Sequence, residues 1–319
     1  MAGNKNSILV TGGAGFVGSN VVNTLIATTD YRIIVLDDLS TGFESNMLKS
    51  NKLEFIKGSV TDQNLLKEVV PMVHSIVHMA AKNIIVSTKN PREDFEVNIG
   101  GTLNILLLAR EHGIKRVVYT SSASVYGNPR YLPINEDDGV NTLSPYSVSK
   151  LAGENYCQAF YESFGLSTIC LRYSNVFGIN QSPQNPYCGV ISKFIESIAK
   201  GETPQVHGDG EQTRDFTYVD DTVSATIAAL FSIKGDGQVF NVGTGIETSV
   251  STLVRFLIEI MGACGTEPVY IDKRDIDNIR RRVLNIEKIR KTLRWTPVFT
   301  LKEGLTRTIK WYKESKKSK

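Results

Sequence analysis

The chain has 319 residues, 41% hydrophobic and 22% charged, enough for a large buried core of ordinary globular composition. Its 36 Lys and Arg against 33 Asp and Glu leave only +3, and four of the lysines sit in the terminal "KESKKSK", so no nucleic-acid partner is indicated. Cys157, Cys170, Cys188 and Cys264 form no CxxC pair or histidine grouping, which points to neither a disulfide framework nor a zinc site and suits a reducing, cytoplasmic compartment.

The start, "MAGNKNSILVTGG", enters a strand without a signal-peptide pattern, and no apolar run approaches the roughly 20 residues that span a bilayer, so no membrane partner is expected. Short β-branched runs follow at 7–10, 32–37, 53–56, 75–80, 116–121 and 167–173. Between most of them lie amphipathic stretches such as "FVGSNVVNTLIATT" and "NIGGTLNILLLAREHG", apolar at every third or fourth position. This alternation predicts an α/β fold, a doubly wound parallel sheet of Rossmann type covered on both faces. Past Tyr173 the rhythm changes: a loop "NQSPQNP", a helix over "GVISKFIESIAKG", then short strands at "PQVHG" and "GQVFNVG". Residues 1–173 are expected to bind a dinucleotide. Residues 174–319 are expected to form mainly a smaller α/β substrate lid, interleaved with the first part.

"ILVTGGAGFVGSN" sets Gly12, Gly15 and Gly18 directly after a strand, with Phe16 and Val17 opening a helix. Glycine permits the tight turn and the close approach of a pyrophosphate to the helix amides. The next strand ends in Asp37 and Asp38, nineteen residues past Gly18, where a carboxylate meets the ribose hydroxyls and repels a 2′-phosphate. NAD is therefore predicted over NADP. Farther on, "SPYSVSK" places Tyr146 and Lys150 one helical turn apart. A phenol with a pKa near ~10 needs a nearby positive charge to act as a base at neutral pH, and Lys150 is expected to supply it. His78, inside "SIVHMAA", reads as a satisfied core histidine.

The glycine pattern together with YxxxK resembles the extended short-chain dehydrogenase/reductase family, in its nucleotide-sugar epimerase/dehydratase group, and the likeness runs over nearly the whole chain. It implies that Ala80 and Ala81 of "HMAAK" approach the dinucleotide, that Asn98 of "NIGGTLNIL" is a structural or cofactor-side amide, and that Tyr173 of "LRYSNVFG" lies on the cofactor side. Asn175 in the same motif and Arg214 of "GDGEQTRDFTYVDD" are implied at the substrate diphosphate, with Arg274 and Asp277 of "KRDID" in a lid element. Val190, His207 and Lys82 complete the substrate candidates, His207 bordering the base and Lys82 reaching the diphosphate. "GSVTD" has Ser59 where the family often has a carboxylate, leaving Asp62 and the Val60 backbone near the adenine. The "RRR" at 280–282 falls where related enzymes sense the sugar; Arg282 either crowds an acetamido group, pairs with an acidic sugar, or faces solvent.

Within this family "YTSSASVYGNP", residues 119–129, discriminates. Dehydratases carry Asp and Glu just before VYG, and decarboxylases a Glu; Ala123 and Ser124 stand there instead, and neither is a strong general acid or base. The segment resembles the 4-epimerase form, with Ser122 and Ser124 as sugar-facing hydroxyls. What this implies is inversion at C4 of a UDP-hexose by Ser122, Tyr146 and Lys150, with tightly held NAD and a homodimer.

Overall fold

A computed structural model describes residues 6–181, 189–273 and 279–317. The β-branched runs form β1 (Ser7–Thr11), β2 (Arg32–Asp37), β3 (Leu53–Lys57), β4 (Ser75–His78), β5 (Arg116–Ser122) and β6 (Thr168–Tyr173). With the strand Gln238–Val242 they make one sheet in the order Gln238–Val242, β6, β5, β4, β1, β2, β3. Every ladder is parallel.

Alternate residues point to opposite faces, so each strand feeds two cores. Ile8, Val10, Ile33, Val35 and Val77 pack under α1 (Phe16–Thr28) and the helix Val219–Phe231. Leu9, Ile34, Leu36, Ile76 and Val117 pack on the other side under α2 (Gln63–Val69) and two later helices. Burying each such side chain contributes about 1.5–3 kcal/mol. Beyond α2 come α3 (Ile84–Lys89), α4 (Pro91–Asp94), a π-helical turn Phe95–Gly101, α5 (Thr102–Glu111) and α6 (Pro145–Phe164).

Helix α6 starts where it does because Ser144 and Ser147 form a reciprocal capping box ahead of Pro145, and it stops at Gly165, whose φ of +68° lies in the left-handed region. The helix is pinned by a buried pair: Arg172 Nη2 on β6 lies 2.7 Å from Glu154 Oε2 on α6. Arg172 Nη1 also donates to the Tyr126 hydroxyl at 2.8 Å, and that hydroxyl donates to Asn241 Oδ1 at 2.7 Å. The catalytic helix, β6 and the strand Gln238–Val242 are thereby one unit.

The strand predicted at "GQVFNVG" therefore belongs to the large sheet, although it lies within the segment expected to form mainly the lid. Among the described residues three small pairs lie outside that sheet: β7 (Asn175–Phe177) with Phe216–Tyr218, Gln205–His207 with Val269–Ile271, and Thr213–Arg214 with Thr248–Ser249. Connections reverse direction between β1 and β4, which opens a crevice at their carboxyl ends, the place where such sheets bind ligands. No helix among the described residues is long and apolar enough to cross a membrane.

Candidate active site

The crevice is a cleft of about 350 Å³ running from Gly12 past Asp37 and Ala80 to Tyr146 and Lys150. At its floor Gly12 has φ +70°, and a Cβ there would lie 2.7 Å from the Ala80 amide nitrogen. A Cβ on Gly18 would lie 2.1 Å from the Gly12 carbonyl oxygen. Gly15 caps α1 with no side-chain bond, so the amides at Phe16 and Val17 remain directed to an anion. Asp37 closes the end of β2, accepting from the Ala14 amide at 2.9 Å and the Leu39 amide at 2.8 Å. Burial raises its pKa, and these amide bonds oppose the rise. A bare backbone floor, a helix amino end and a carboxylate one strand away fit NAD, with Asp37 and Asp38 disfavouring a 2′-phosphate.

Ser59, Val60, Ala81 and Tyr173 also line this cleft. Local contacts bear on three of the expectations here. Lys82 Nζ lies 3.3 Å from Asp38 and 3.1 Å from Glu93, which sets it in the dinucleotide wall. Asp62 does not serve the adenine: its carboxylate caps α2, accepting from the amides of Asn64 and Leu65. Of the two roles expected for Asn98 the contacts are those of the structural amide: it donates to Asp94 at 2.6 Å and to the Lys82 carbonyl at 3.0 Å while accepting from the Lys82 amide at 2.7 Å. It fixes the loop after β4 against α6 through Ser149, 3.2 Å away. His78 is buried between the hydroxyls of Thr11 and Thr102, and burial pushes its pKa down to about 3, which suits a neutral core residue.

Ser122 ends β5, its hydroxyl accepts from the Ser124 amide at 3.1 Å, and it acts to lower the pKa of the Tyr146 phenol. Burial pushes that phenol up to about 12; Ser122 and the Arg282 charge lower it, and Asp94 raises it. Lys150 Nζ donates to the Thr120 carbonyl at 2.8 Å and sits 5.8 Å from the Tyr146 ring centre. Burial pushes its ammonium down to about 8, with Asp94 and Glu154 partly restoring it. Lys150 thus stands beside Tyr146 while donating to a β5 carbonyl, and Arg282 is a second cation bearing on the phenol. Asp94, buried and bonded to Ser87, Asn98 and Ser149, is a charged neighbour that sequence reasoning missed. Its place four residues before Asn98 on a helical stretch was the available signal.

On the sugar side, Asn175 accepts Arg282 Nη2 at 3.0 Å through Oδ1, which leaves its Nδ2 to donate to a phosphate oxygen. Arg214 stands close enough to Arg282 to depress its pKa. Asp215 beside it accepts the Thr244 amide at 2.8 Å, the Gly245 amide at 3.0 Å and the Leu284 amide at 3.3 Å, holding the segment that follows Arg282. Ser124 Oγ is buried without a partner. Val190 is the first residue of the helix Val190–Ala199, and His207 Nδ1 faces the Asp272 carbonyl at 3.1 Å in the outer pair of strands. Arg274 and Asp277 lie outside the described residues.

The description "NAD dependent epimerase/dehydratase family" matches residues 8–243, which include the glycine turn, the Ser122, Tyr146 and Lys150 trio and Arg214. The chain belongs to this family. A protein named putative UDP-glucose 4-epimerase from Methanocaldococcus jannaschii is 40% identical over 98% of this chain and 100% of its own length. The UDP-glucose 4-epimerase of Thermotoga maritima, solved with UDP-glucose, superposes with a TM-score of 0.92 at 36% identity, covering 97% of this chain and 99% of that one. The UDP-N-acetylglucosamine 4-epimerase of Methanobrevibacter ruminantium, solved with UDP-N-acetylmuramic acid, also gives 0.92, at 32% identity over 98% and 99%. The enzyme is an NAD-dependent isomerase of nucleotide sugars.

Proposed function

We propose that the enzyme interconverts the C4 epimers of a UDP-linked sugar of the gluco and galacto configurations. The observation that carries this reading is the wall beside Tyr146: Ser122 lowers the pKa of the phenol, while Ala123 and Ser124 occupy the two positions where elimination or decarboxylation would need a carboxylic acid. The names of the relatives above, and the UDP-linked ligands of the two solved neighbours, support uracil as the base.

Tyr146 Oη removes the proton of the C4 hydroxyl and, once the ring has turned its other face, returns it to the C4 oxygen. NAD, which Gly12, Gly15, Gly18 and Asp37 would hold, would supply a reversible hydride acceptor at C4, so that the reaction would have no net redox change. Ser122 holds the same oxygen in both half-reactions. Asn175 Nδ2 and Arg214 hold the diphosphate, so that the sugar turns while its anchor stays. At about 12 the phenol stays protonated at neutral pH even with Ser122 and Arg282 opposing the effect of burial, so further positive charge, from Lys150 and the nicotinamide of bound NAD, is what would make it a base. A homodimer is part of the proposal, supported by the exposed apolar Leu107 on α5 and Val148 and Tyr156 on α6.

Incubation with UDP-sugars and separation of C4 epimers tests the reading, with no lasting 340 nm absorbance expected. Tyr146→Phe is expected to reduce kcat by at least about 1000-fold, and a loss of less than about tenfold, ~1.4 kcal/mol of barrier, would overturn the assignment of the base.

A further inference from the structure

The run Arg280, Arg281, Arg282 divides in two. Arg280 and Arg281 are exposed and paired with carboxylates, Asp209 at 2.7 Å and Glu247 at 2.6 Å. Arg282 is turned the other way, into the wall between Asn175 and Tyr146, and among the described residues it has no ion-pair partner. Its Nη2 donates to the neutral amide of Asn175, and among the described residues its buried Nε–H has no hydrogen-bond partner. Asp215, the carboxylate whose charge bears on it, is occupied by the amides of Thr244, Gly245 and Leu284 and by the Thr244 hydroxyl. A second guanidinium, Arg214, stands near enough to repel it.

A guanidinium buried among neutral and like-charged groups is costly, and its free Nε–H beside an Nη–H is the side-on fork that takes a carboxylate through two parallel bonds. Its position says which anion. Arg282 bears electrostatically on the Tyr146 phenol, which serves C4 of the sugar. The diphosphate is bonded to C1, across the ring from C4, whereas C6 branches from C5, the neighbour of C4. We propose that Arg282 is a substrate-specificity residue that binds a carboxylate on the sugar at C6, so that the preferred substrate is a UDP-hexuronate. This rests on the reading above as a UDP-sugar 4-epimerase and deepens it: a hexuronate is the same sugar with C6 oxidised. A neutral CH2OH offers one hydroxyl to the fork and leaves the charge unbalanced.

The experiment compares wild type, Arg282→Met and Arg282→Lys, each with NAD and confirmed folded by thermal melting, on UDP-glucuronate, UDP-glucose and UDP-N-acetylglucosamine. Isothermal titration with UDP alone is run beside it. Wild type is expected to favour UDP-glucuronate by at least about 100-fold in kcat/KM, since a charged hydrogen-bonded pair in a buried site is lost on the neutral sugars. Arg282→Met is expected to lower kcat/KM for UDP-glucuronate by about 100-fold or more beyond the loss on UDP-glucose that the missing charge beside Tyr146 causes, and to leave the UDP affinity within about threefold; Arg282→Lys keeps part of the charge and falls between. Equal losses on all sugars, together with weakened UDP binding, would assign the guanidinium to the diphosphate and overturn the proposal. So would a wild-type preference for UDP-glucose, which needs no variant to be seen. A UDP-pentose formed from UDP-glucuronate with loss of CO2 would retain the carboxylate assignment and overturn the epimerase reading instead. No C4 epimer from any sugar would overturn both.

Discussion

The two walls of the cleft recognise negative charge by opposite means. Under the dinucleotide the chain offers what is missing: Gly12 and Gly18 have no Cβ where one would strike backbone, and α1 begins without a side-chain cap, so that main-chain amides do the binding. Facing the sugar it offers what has been added, the charged heads of Arg214 and Arg282 on long stems, steadied by Asn175 and Asp215. The first wall holds partial charges fixed by the covalent chain. The second holds full charges fixed by packing, and each is only as well placed as its neighbours. Lys150 stands at the seam, an ammonium buried for its chemistry at a cost to the fold.

The largest effect is expected where nothing can give. In Gly18→Ala the new methyl meets the Gly12 carbonyl at 2.1 Å, and NAD affinity is expected to fall by about 100-fold or more, near 3 kcal/mol, in a fluorescence titration. UDP affinity should stay within about threefold; its loss as well would break the distinction between the walls. Gly15→Ala, whose methyl lies 3.2 Å from the same oxygen, is the gentler companion if the first variant does not fold.

Lys150→Met sharpens the seam. The folded chain gives up the Lys150 proton near pH 8 and an unfolded chain near 10.5, so burying the ammonium opposes folding fully below pH 8. That opposition fades as pH rises from 8 to 10.5. The variant should therefore unfold at higher denaturant concentration at pH 7, by up to about 3 kcal/mol, with the gain shrinking above pH 8 and activity lost. Denaturant melts of both proteins at pH 7 and pH 10 measure it, and a loss of stability at pH 7 would show that the bond to Thr120 outweighs the burial.

The smallest effect belongs to Lys82→Met. Its two carboxylate partners are partly exposed, so the pairs contribute less than about 1 kcal/mol, and the NAD affinity should move by less than about threefold, with that for UDP unmoved. A UDP affinity that fell while NAD held would return Lys82 to the sugar side.

The same contrast explains what could be read in the sequence. Gly12, Gly15, Gly18 and Asp37 form a pattern whose geometry is local, strand into turn into helix, so residue spacing alone located that wall. Tyr146 and Lys150 were equally legible as one turn of a capped helix. Asp62 was misread because a motif position outweighed a plainer local signal, an aspartate immediately before a helix. The direction of Arg282 had no local signal, since three identical residues sort themselves by where Asp209, Glu247 and Asn175 lie in space. The bond from Lys150 to the Thr120 carbonyl had no local signal, because that carbonyl belongs to another element.

The strand Gln238–Val242 closes the sheet along β6, yet it is synthesised only after residues 174–237. While the ribosome is making those residues, β6 has Ile169 and Leu171 beside a row of amides and carbonyls with no neighbour on that side, an invitation to a stray strand from another nascent chain. A polypeptide terminated before Gln238 should collect in the insoluble fraction, and adding the missing strand back should restore it to solution.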